Sequence, residues 1–221
     1  MTFDGLLFDF DGVLIESEYA GNRHLADLLT AAGHPTTPED SMANFMGLSG
    51  EDFRDAIRRW IGGPLPDRFE ELRAAEDARA MAEGVDAVDG AIAFVRALPR
   101  DLPRAVVSSS HSAWIRRHLD HIGLAGAFGD HIYSGREHVA KGKPAPDLYW
   151  HGASAIGVPI ERCAIIEDSP VGATGAVASG GYVIGLVAGT HCGPGHADRL
   201  RAIGVDAIAR NFGEVADLVG L

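Results

Sequence analysis

Four short runs rich in Val, Ile and Leu are the feature that most limits the folds open to this chain. The runs are LLFDF (6–10), RAVVSS (104–109), CAIIED (163–168) and YVIGLV (182–187). Continuous apolar runs of this length are typical of parallel strands that are covered on both faces. We therefore predict a largely parallel sheet that lies between two layers of helices.

Helical patterns alternate with these runs, at residues 112–124, 146–158 and 170–181. This alternation predicts an α/β fold with a doubly wound, Rossmann-like parallel sheet. Residues 16 to about 83 break the alternation, because they contain several helical candidates and no convincing strand. We predict an α/β core domain of residues 1–15 and 86–221, with an all-helical cap domain, residues 16–85, inserted into it.

The composition fits a compact globular protein and argues against one class of partner. The chain has 221 residues, of which 46% are hydrophobic and 23% charged, enough apolar material for a core. Its formal net charge of −12 repels polyanions, so we expect no nucleic-acid partner. A small phosphorylated substrate stays possible, since a metal ion and one lysine can reverse the potential inside a single pocket.

Targeting and redox signals are also absent from the sequence. The apolar runs are far too short to cross a bilayer, and the first residues, MTFDG, lack a basic flank and a long apolar segment. Cys163 and Cys192 are the only cysteines, which makes a disulfide framework improbable. We therefore expect a cytoplasmic protein without a membrane partner, present as a monomer or a weak dimer.

Polar side chains stand at or after the ends of the predicted strands. They are Asp9 and Asp11, Ser108 to Ser110, Lys143 in the loop before the helix at 146, and Glu167 with Asp168. In a parallel sheet these ends can meet in one crevice. Carboxylates suit Mg²⁺, while hydroxyl groups and a lysine can hold phosphoryl oxygens, and phosphoryl transfer needs this combination.

The same residues lie in four motifs: DFDGVL, VVSSS, GKPAPD and IIEDS. In order and spacing the chain resembles the haloacid dehalogenase-like hydrolase superfamily, in the helical-cap branch. That branch includes β-phosphoglucomutase and sugar-phosphate phosphatases such as 6-phosphogluconate phosphatase. The resemblance extends from residue 5 to about 190, and it implies a phosphatase of carbohydrate metabolism that uses Mg²⁺.

The resemblance also implies catalytic roles. Asp9 would be the nucleophile that forms an aspartyl-phosphate, and Asp11 the general acid and then the general base. Ser108 and the amide of Ser109 would hold the phosphoryl group, and Lys143 would offset its charge.

A metal site and one further phosphate contact are implied in the same way. The metal ligands would be the carboxylates of Asp9 and Asp168 and the backbone carbonyl of Asp11, with Glu167 nearby. Gly12 would belong to the phosphate-binding loop. We accordingly predict Mg²⁺ as the cofactor and a small phosphorylated metabolite as the partner.

Single residues distinguish the phosphatase from other activities, both within the superfamily and outside it. Dehalogenases lack the second aspartate of the first motif, so the presence of Asp11 argues against them. β-Phosphoglucomutases resemble the stretch GLSGED (47–52) but carry an Arg where this chain has Gly50, and a His where it has Gly21. His24, one helical turn further on, leaves a mutase as the alternative. A non-catalytic phosphometabolite-binding protein is the second alternative.

Several of these residues also have a purely structural interpretation. The serine run could cap the helix that starts near residue 112, and Glu167 could cap the helix after Pro170. The stretch HCGPGH (191–196) could suggest a metal site. Its Gly and Pro content instead favours a surface loop. A zinc site is also disfavoured because no second ligand pair with usable spacing accompanies the stretch.

Overall fold

Two compact units make up the chain, one of Met1–Glu16 with Val85–Leu221 and one of Ser17–Gly84. The structure is a computed structural model that describes residues 3–46, 48 and 50–221. In the described residues, no helix is both long and apolar enough to cross a membrane.

A six-stranded, fully parallel sheet forms the centre of the larger unit. Its strands are β1 Gly5–Phe8, β2 Arg104–Ser108, β3 Ile132–Ser134, β4 Cys163–Glu167, β5 Tyr182–Leu186 and β6 Ala207–Ala209. The order β3-β2-β1-β4-β5-β6 puts β1 between β2 and β4, where the direction of winding reverses. Ligands bind in folds of this kind at the carboxyl ends of the strands beside that reversal.

Helices cover both faces of this sheet and supply its core. They are α5 Ala91–Ala97, α6 Ser112–His121, α7 Ala125–Phe128, α8 Asp147–Ala155, α9 Pro170–Ser179, α10 His196–Ile203 and α11 Phe212–Val219, with a 3-10 turn at Ile160–Arg162. Leu7 and Val107 pack with Tyr149 in one core cluster, whereas the adjacent Phe8 ring contacts Phe94 and Phe128. Because side chains alternate along a strand, β1 contributes to both cores. The predicted doubly wound sheet is confirmed.

The smaller unit consists of four helices with a core of their own. These are α1 Ser17–Ala31, α2 Pro38–Phe45, α3 Gly50–Ile61 and α4 Phe69–Glu83. The core contains Leu25, Leu29, Phe45, Ile57 and Phe69. Thr37 begins α2 with a capping box, in which Thr37 and Asp40 each accept the other's backbone N–H. The inserted segment is therefore helical in its described residues, as the sequence predicts.

Two strands, β3 and β6, are absent from the sequence-based prediction. Each has only three residues, and each lies at an edge of the sheet, where a strand pairs with a neighbour on one side only. Edge strands need a shorter apolar run than central ones, so their sequences, IYS and AIA, give little periodic signal.

Candidate active site

Asp9 and Asp11 follow the central strand β1. The Asp9 N–H donates to the carbonyl of Ile166 on β4 at 2.9 Å, so the strand pairing extends to this residue. Phe10 points into the core and is fully buried. Gly12 has a φ of +79°, and its N–H donates to the carbonyl of Ile15 at 2.8 Å. The chain thus turns directly after Asp11 and leaves both carboxylates at the carboxyl edge of the sheet.

Lys143 lies between two buried carboxylates. Its Nζ is 2.6 Å from Asp9 Oδ1 and 2.5 Å from Glu167 Oε1, and its side chain is only 3% exposed. Burial, with the charge of Glu167 added, raises the pKa of Asp9 well above its ordinary value, although Lys143 opposes that shift. Burial alone would lower the pKa of Lys143, but the two carboxylates raise it. The ammonium ion is therefore held charged in the interior.

Glu167, the last residue of β4, is fixed by more than the lysine. The Tyr149 hydroxyl lies 2.6 Å from Glu167 Oε1 and 2.9 Å from the carbonyl oxygen of Gly172. A Cβ on Gly172 would overlap the Glu167 carboxylate, so only glycine fits there. Burial and the charge of Glu167 raise the pKa of Tyr149 well above its ordinary value. The helix-capping interpretation of Glu167 is wrong, because Ser169 caps α9 by accepting the Gly172 N–H.

Asp11 is held on the other side of the site by three donors. The Ser110 hydroxyl donates to Asp11 Oδ2 at 2.7 Å, and the Ser108 hydroxyl donates to the same oxygen at 3.2 Å. The indole N–H of Trp114 on α6 donates to Asp11 Oδ1 at 3.1 Å. The carboxylate is therefore oriented by groups from β2, from the loop after it and from the next helix.

The remaining predicted phosphate-binding residue, Ser109, is exposed, in contrast to the buried Ser108. Its carbonyl oxygen accepts a hydrogen bond from Arg136 Nε at 2.9 Å. The helix that follows has His111 at its N-cap position without a side-chain cap, so the interpretation of the serine run as a cap is wrong. The Ser108 hydroxyl instead accepts the N–H of Ser110 at 2.9 Å.

Asp168 completes the set of predicted residues. It follows β4 directly, is 1% exposed, and its Oδ2 lies 2.7 Å from Nε2 of the buried His191. The structure thus brings together Asp9, Lys143, Glu167 and Asp168. Asp11 lies two residues after Asp9 and is joined to Ser108, the last residue of β2, by a hydrogen bond. Gly12 adjoins them, since a Cβ there would overlap Asp168.

Comparison with known proteins agrees with this arrangement. A family model described as haloacid dehalogenase-like hydrolase matches residues 3–180. The chain belongs to this family.

Relatives and solved structures give more detail. Hexitol phosphatase A of Escherichia coli is 31% identical over 84% of this chain and 84% of its own length. The 6-phosphogluconate phosphatase of the same organism is 28% identical over 86% of each chain. A HAD family hydrolase from Deinococcus radiodurans, crystallised with bound phosphate and sodium, is 31% identical with a TM-score of 0.87, covering 99% of this chain and 96% of that one. The predicted family and hydrolase class are confirmed, and these relatives agree with the predicted phosphatase activity.

Three carboxylates of this protein form a candidate cation site. Oxygens of Asp9, Glu167 and Asp168 all lie within 4.8 Å of one another, and all three residues are buried. Lys143 supplies one positive charge against three carboxylates, so the cluster stays short of positive charge. Buried like charges are costly unless they are paired, and hard oxygen ligands suit Mg²⁺. The donor set therefore fits the predicted ion.

Three contacts in the site are not predicted by the sequence. Tyr149 and Trp114 lie in helices whose apolar patterns suggest packing alone. The segment 191–196 is not simply a surface loop, since His191 and His196 are 3% and 1% exposed. For Trp114 and Tyr149, helix periodicity predicts which face of the helix is buried, but not which side chain on that face reaches a carboxylate.

Proposed function

We propose that this protein is a Mg²⁺-dependent phosphatase that hydrolyses a small phosphorylated metabolite through an aspartyl-phosphate intermediate. The observation that carries the proposal is the buried Asp9 carboxylate, joined to Lys143 and grouped with Glu167 and Asp168 beside the strand-order reversal. A nucleophile that attacks phosphorus needs positive charge close to it, because the phosphoryl oxygens that approach it are negative.

In the first step, a carboxylate oxygen of Asp9 attacks phosphorus. The new O–P bond forms as the bond from phosphorus to the leaving oxygen breaks, and Asp11 donates its proton to that oxygen. Lys143 offsets charge on the phosphoryl group and on Asp9. The Ser108 hydroxyl and the Ser109 amide bind the phosphoryl oxygens, and Gly12 lets the backbone approach them.

In the second step, Asp11 accepts a proton from water as the water oxygen attacks phosphorus. The bond from phosphorus to Asp9 breaks, and inorganic phosphate and the free carboxylate are produced. The donors on Asp11, Ser110 and Trp114 among them, orient it for both transfers.

The metal would be held by the carboxylates of Asp9 and Asp168 and by the backbone carbonyl of Asp11. When bound, Mg²⁺ supplies positive charge that neutralises the phosphoryl oxygens and aligns them for in-line transfer. Glu167 serves this site by holding Lys143, which fits its contacts with Lys143 and Tyr149.

The substrate class we propose is a sugar, sugar-acid or polyol phosphate. Its support is the named activity of two relatives, hexitol phosphatase A and 6-phosphogluconate phosphatase, and the phosphate in the related solved structure. The helical unit, Ser17–Gly84, is proposed as the cap that selects among these substrates. A cytoplasmic location and a monomer or weak dimer stay predictions.

A β-phosphoglucomutase remains the alternative, and the helical unit gives it no added support. Gly50 has a φ of +57° and Gly21 lies in α1, so neither position carries the charged group of that enzyme. His24 Nδ1 lies 3.5 Å from Glu76 within the unit. Gly47 and Ser49, also part of the stretch compared with mutases, lie outside the described residues.

The test is the substitution Asp9→Asn, assayed for phosphate release from a panel of sugar, sugar-acid and polyol phosphates with Mg²⁺. We expect turnover to fall to background, because an amide is a far weaker nucleophile than a carboxylate. Asp198→Asn, an exposed aspartate paired with Arg201, is the matched control and should keep full activity. Circular dichroism establishes that both variants are folded.

Undiminished turnover in Asp9→Asn would contradict the nucleophile assignment. The same panel, run with and without glucose 1,6-bisphosphate, separates the alternatives. Bisphosphate-dependent isomerisation without net phosphate release would identify a mutase. Binding of a substrate with no turnover by the wild type would indicate the non-catalytic alternative.

A further inference from the structure

Two buried histidines grip Asp168 from the segment that follows β5. His191 Nε2 lies 2.7 Å from Asp168 Oδ2, and His196 Nε2 lies 2.5 Å from the backbone carbonyl oxygen of the same residue. Both residues are almost completely buried, with 3% of His191 and 1% of His196 exposed. The aspartate is thus contacted at both its side chain and its main chain by one segment.

The chemistry of these contacts fixes the position of the protons. An ionised carboxylate and a carbonyl oxygen only accept hydrogen bonds, so both Nε2 atoms must carry a hydrogen. Arg199 lies 3.1 Å from Nδ1 of His196 and can only donate to it. His196 is then a neutral ring with both nitrogens used.

A slot between two glycines admits the His191 ring. A Cβ on Gly189 would lie 2.5 Å from His191 Cε1 and 3.0 Å from the carbonyl oxygen of Gly12. A Cβ on Gly12 would lie 2.9 Å from the same Cε1. Contacts this short do not occur in folded proteins, so any side chain at either position would displace the ring. The motif that carries Asp11 and the segment after β5 are therefore both shaped around His191.

We propose that His191 and His196 are positioning residues that fix Asp168 in the orientation required for binding Mg²⁺, an inference that rests on the proposed function. A ligand held in one rotamer before the ion arrives loses less freedom on binding than a mobile one. Groups that hydrogen-bond to metal ligands tune metal affinity in this manner. His191 acts on the carboxylate and His196 on the backbone that carries it.

The neighbouring thiol offers a competing interpretation, in which the histidines and Cys192 are themselves ligands of a soft metal. Their ligand atoms lie within 4.8 Å of one another, and Cys192 Sγ is 3.3 Å from His191 Nε2. However, the nitrogens facing Asp168 already act as donors, and a donor nitrogen cannot bind a metal. Nδ1 of His196 is contacted by Arg199, so these three residues could offer a metal no more than Nδ1 of His191 and the Cys192 thiol, two ligands fewer than a structural zinc site has.

The experiment measures Mn²⁺ binding, as a probe for Mg²⁺, from the loss of the electron paramagnetic resonance signal of the free ion. We expect His191→Phe, which keeps a ring but has no N–H, to bind Mn²⁺ about 10- to 100-fold more weakly. His191→Gln, whose amide N–H2 can still donate, should recover most of the affinity. His151→Phe is the control, since the ring of His151 packs against Tyr133.

A second variant guards against a folding defect in His191→Phe. Gly189→Ala keeps the imidazole and all its hydrogens but pushes the ring out of its slot, so we expect weakened Mn²⁺ binding here as well. Thermal unfolding with EDTA shows which variants are folded without metal. A loss of affinity in a folded variant is the result that supports positioning.

Three outcomes would overturn the inference. Equal Mn²⁺ affinity in wild type, His191→Phe and Gly189→Ala, with phosphatase activity intact, would refute positioning and leave the proposed function standing. No Mn²⁺ binding by the wild type would refute the metal-dependent function itself. A thiolate-to-cobalt absorption band on adding Co²⁺, lost in Cys192→Ser, would show that the segment is a metal site of its own.

Discussion

Ion pairs in the two units of this protein have similar N–O distances, but the pairs compared here are buried in one unit and exposed to solvent in the other. Lys143 in the sheet-based unit lies 2.6 Å from Asp9, with a side chain 3% exposed. Arg79 in the helical unit lies 2.5 Å from Glu83, with a side chain 55% exposed. The helical unit has further exposed pairs of this kind, such as Arg54 with Glu70 and Arg68 with Glu71.

The difference shows that distance alone says little about what an ion pair does. Exposed pairs gain little because water solvates the separated charges almost as well. A buried pair pays a large desolvation cost, and apolar residues of the same shape would often stabilise a fold as well or better. A lysine buried between two carboxylates, with a third buried carboxylate beside them, contributes little to stability for its desolvation cost, and this arrangement indicates a functional site.

The largest effect is expected from removing the buried lysine. Lys143→Met keeps an unbranched chain of similar length but leaves Asp9 and Glu167 without their ammonium ion. We expect the free energy of unfolding to fall by about 3 to 5 kcal/mol, because an unpaired charge is left in the interior. Urea denaturation followed by circular dichroism measures this change, and phosphate release should be lost at the same time.

The control for this variant is the only other lysine of the chain, Lys141. It is exposed and lies two residues away, so Lys141→Met removes the same charge from the same loop without touching the site. Equal stability of the two variants would show that the buried cluster adapts by taking up protons, and would weaken the contrast drawn between the two units.

A smaller effect is expected at the hydroxyl that supports the cluster. Tyr149→Phe removes the O–H that lies 2.6 Å from Glu167 Oε1 and leaves the ring in place. A hydrogen bond to a charged group contributes about 1.5 to 3 kcal/mol, so we expect a loss of stability in that range. Activity should fall less than in Lys143→Met, since Lys143 keeps its contact with Asp9.

Tyr182→Phe provides the comparison for that measurement, because Tyr182 is half-buried at the start of β5 and its ring packs on Phe3 at 5.0 Å. If Tyr149→Phe were no less stable than Tyr182→Phe, the hydroxyl would be dispensable. Glu167 would then be held by Lys143 and by the Ser169 hydroxyl, which lies 3.4 Å from its Oε2.

The sequence predicts the convergence of this site well, for a topological reason. Asp9 and Lys143 are 134 positions apart, yet they form an ion pair. Parallel strands bring their carboxyl ends to one edge of the sheet, so polar residues at those ends are neighbours whatever their separation along the chain. Three of the motifs follow predicted strands directly, whereas GKPAPD lies in the loop before α8, after the strand β3 that the apolar pattern does not predict.

The sequence does not predict which helix residues reach the site. Trp114 lies in an amphipathic helix and Tyr149 in an apolar one, so their patterns indicate packing. Whether the indole N–H or the phenol meets a carboxylate depends on how each helix is rotated about its axis on the sheet, which periodicity does not resolve. His191 is missed for another reason, since Gly and Pro indicate a turn but not how deeply it is buried.

The smallest effect on stability is expected from breaking a solvent-exposed ion pair whose N–O distance is similar to that of the buried one. Glu83→Gln removes the charge that pairs with Arg79 at the end of α4, where both side chains are more than half exposed. We expect no measurable change in the midpoint of thermal unfolding and none in phosphate release, because the charges are already hydrated and screened by salt. Differential scanning calorimetry at low and high salt checks this. A marked loss of stability that salt does not reduce would mean that exposed pairs stabilise the helical unit as firmly as the buried lysine stabilises the site, and the contrast between the units would fail.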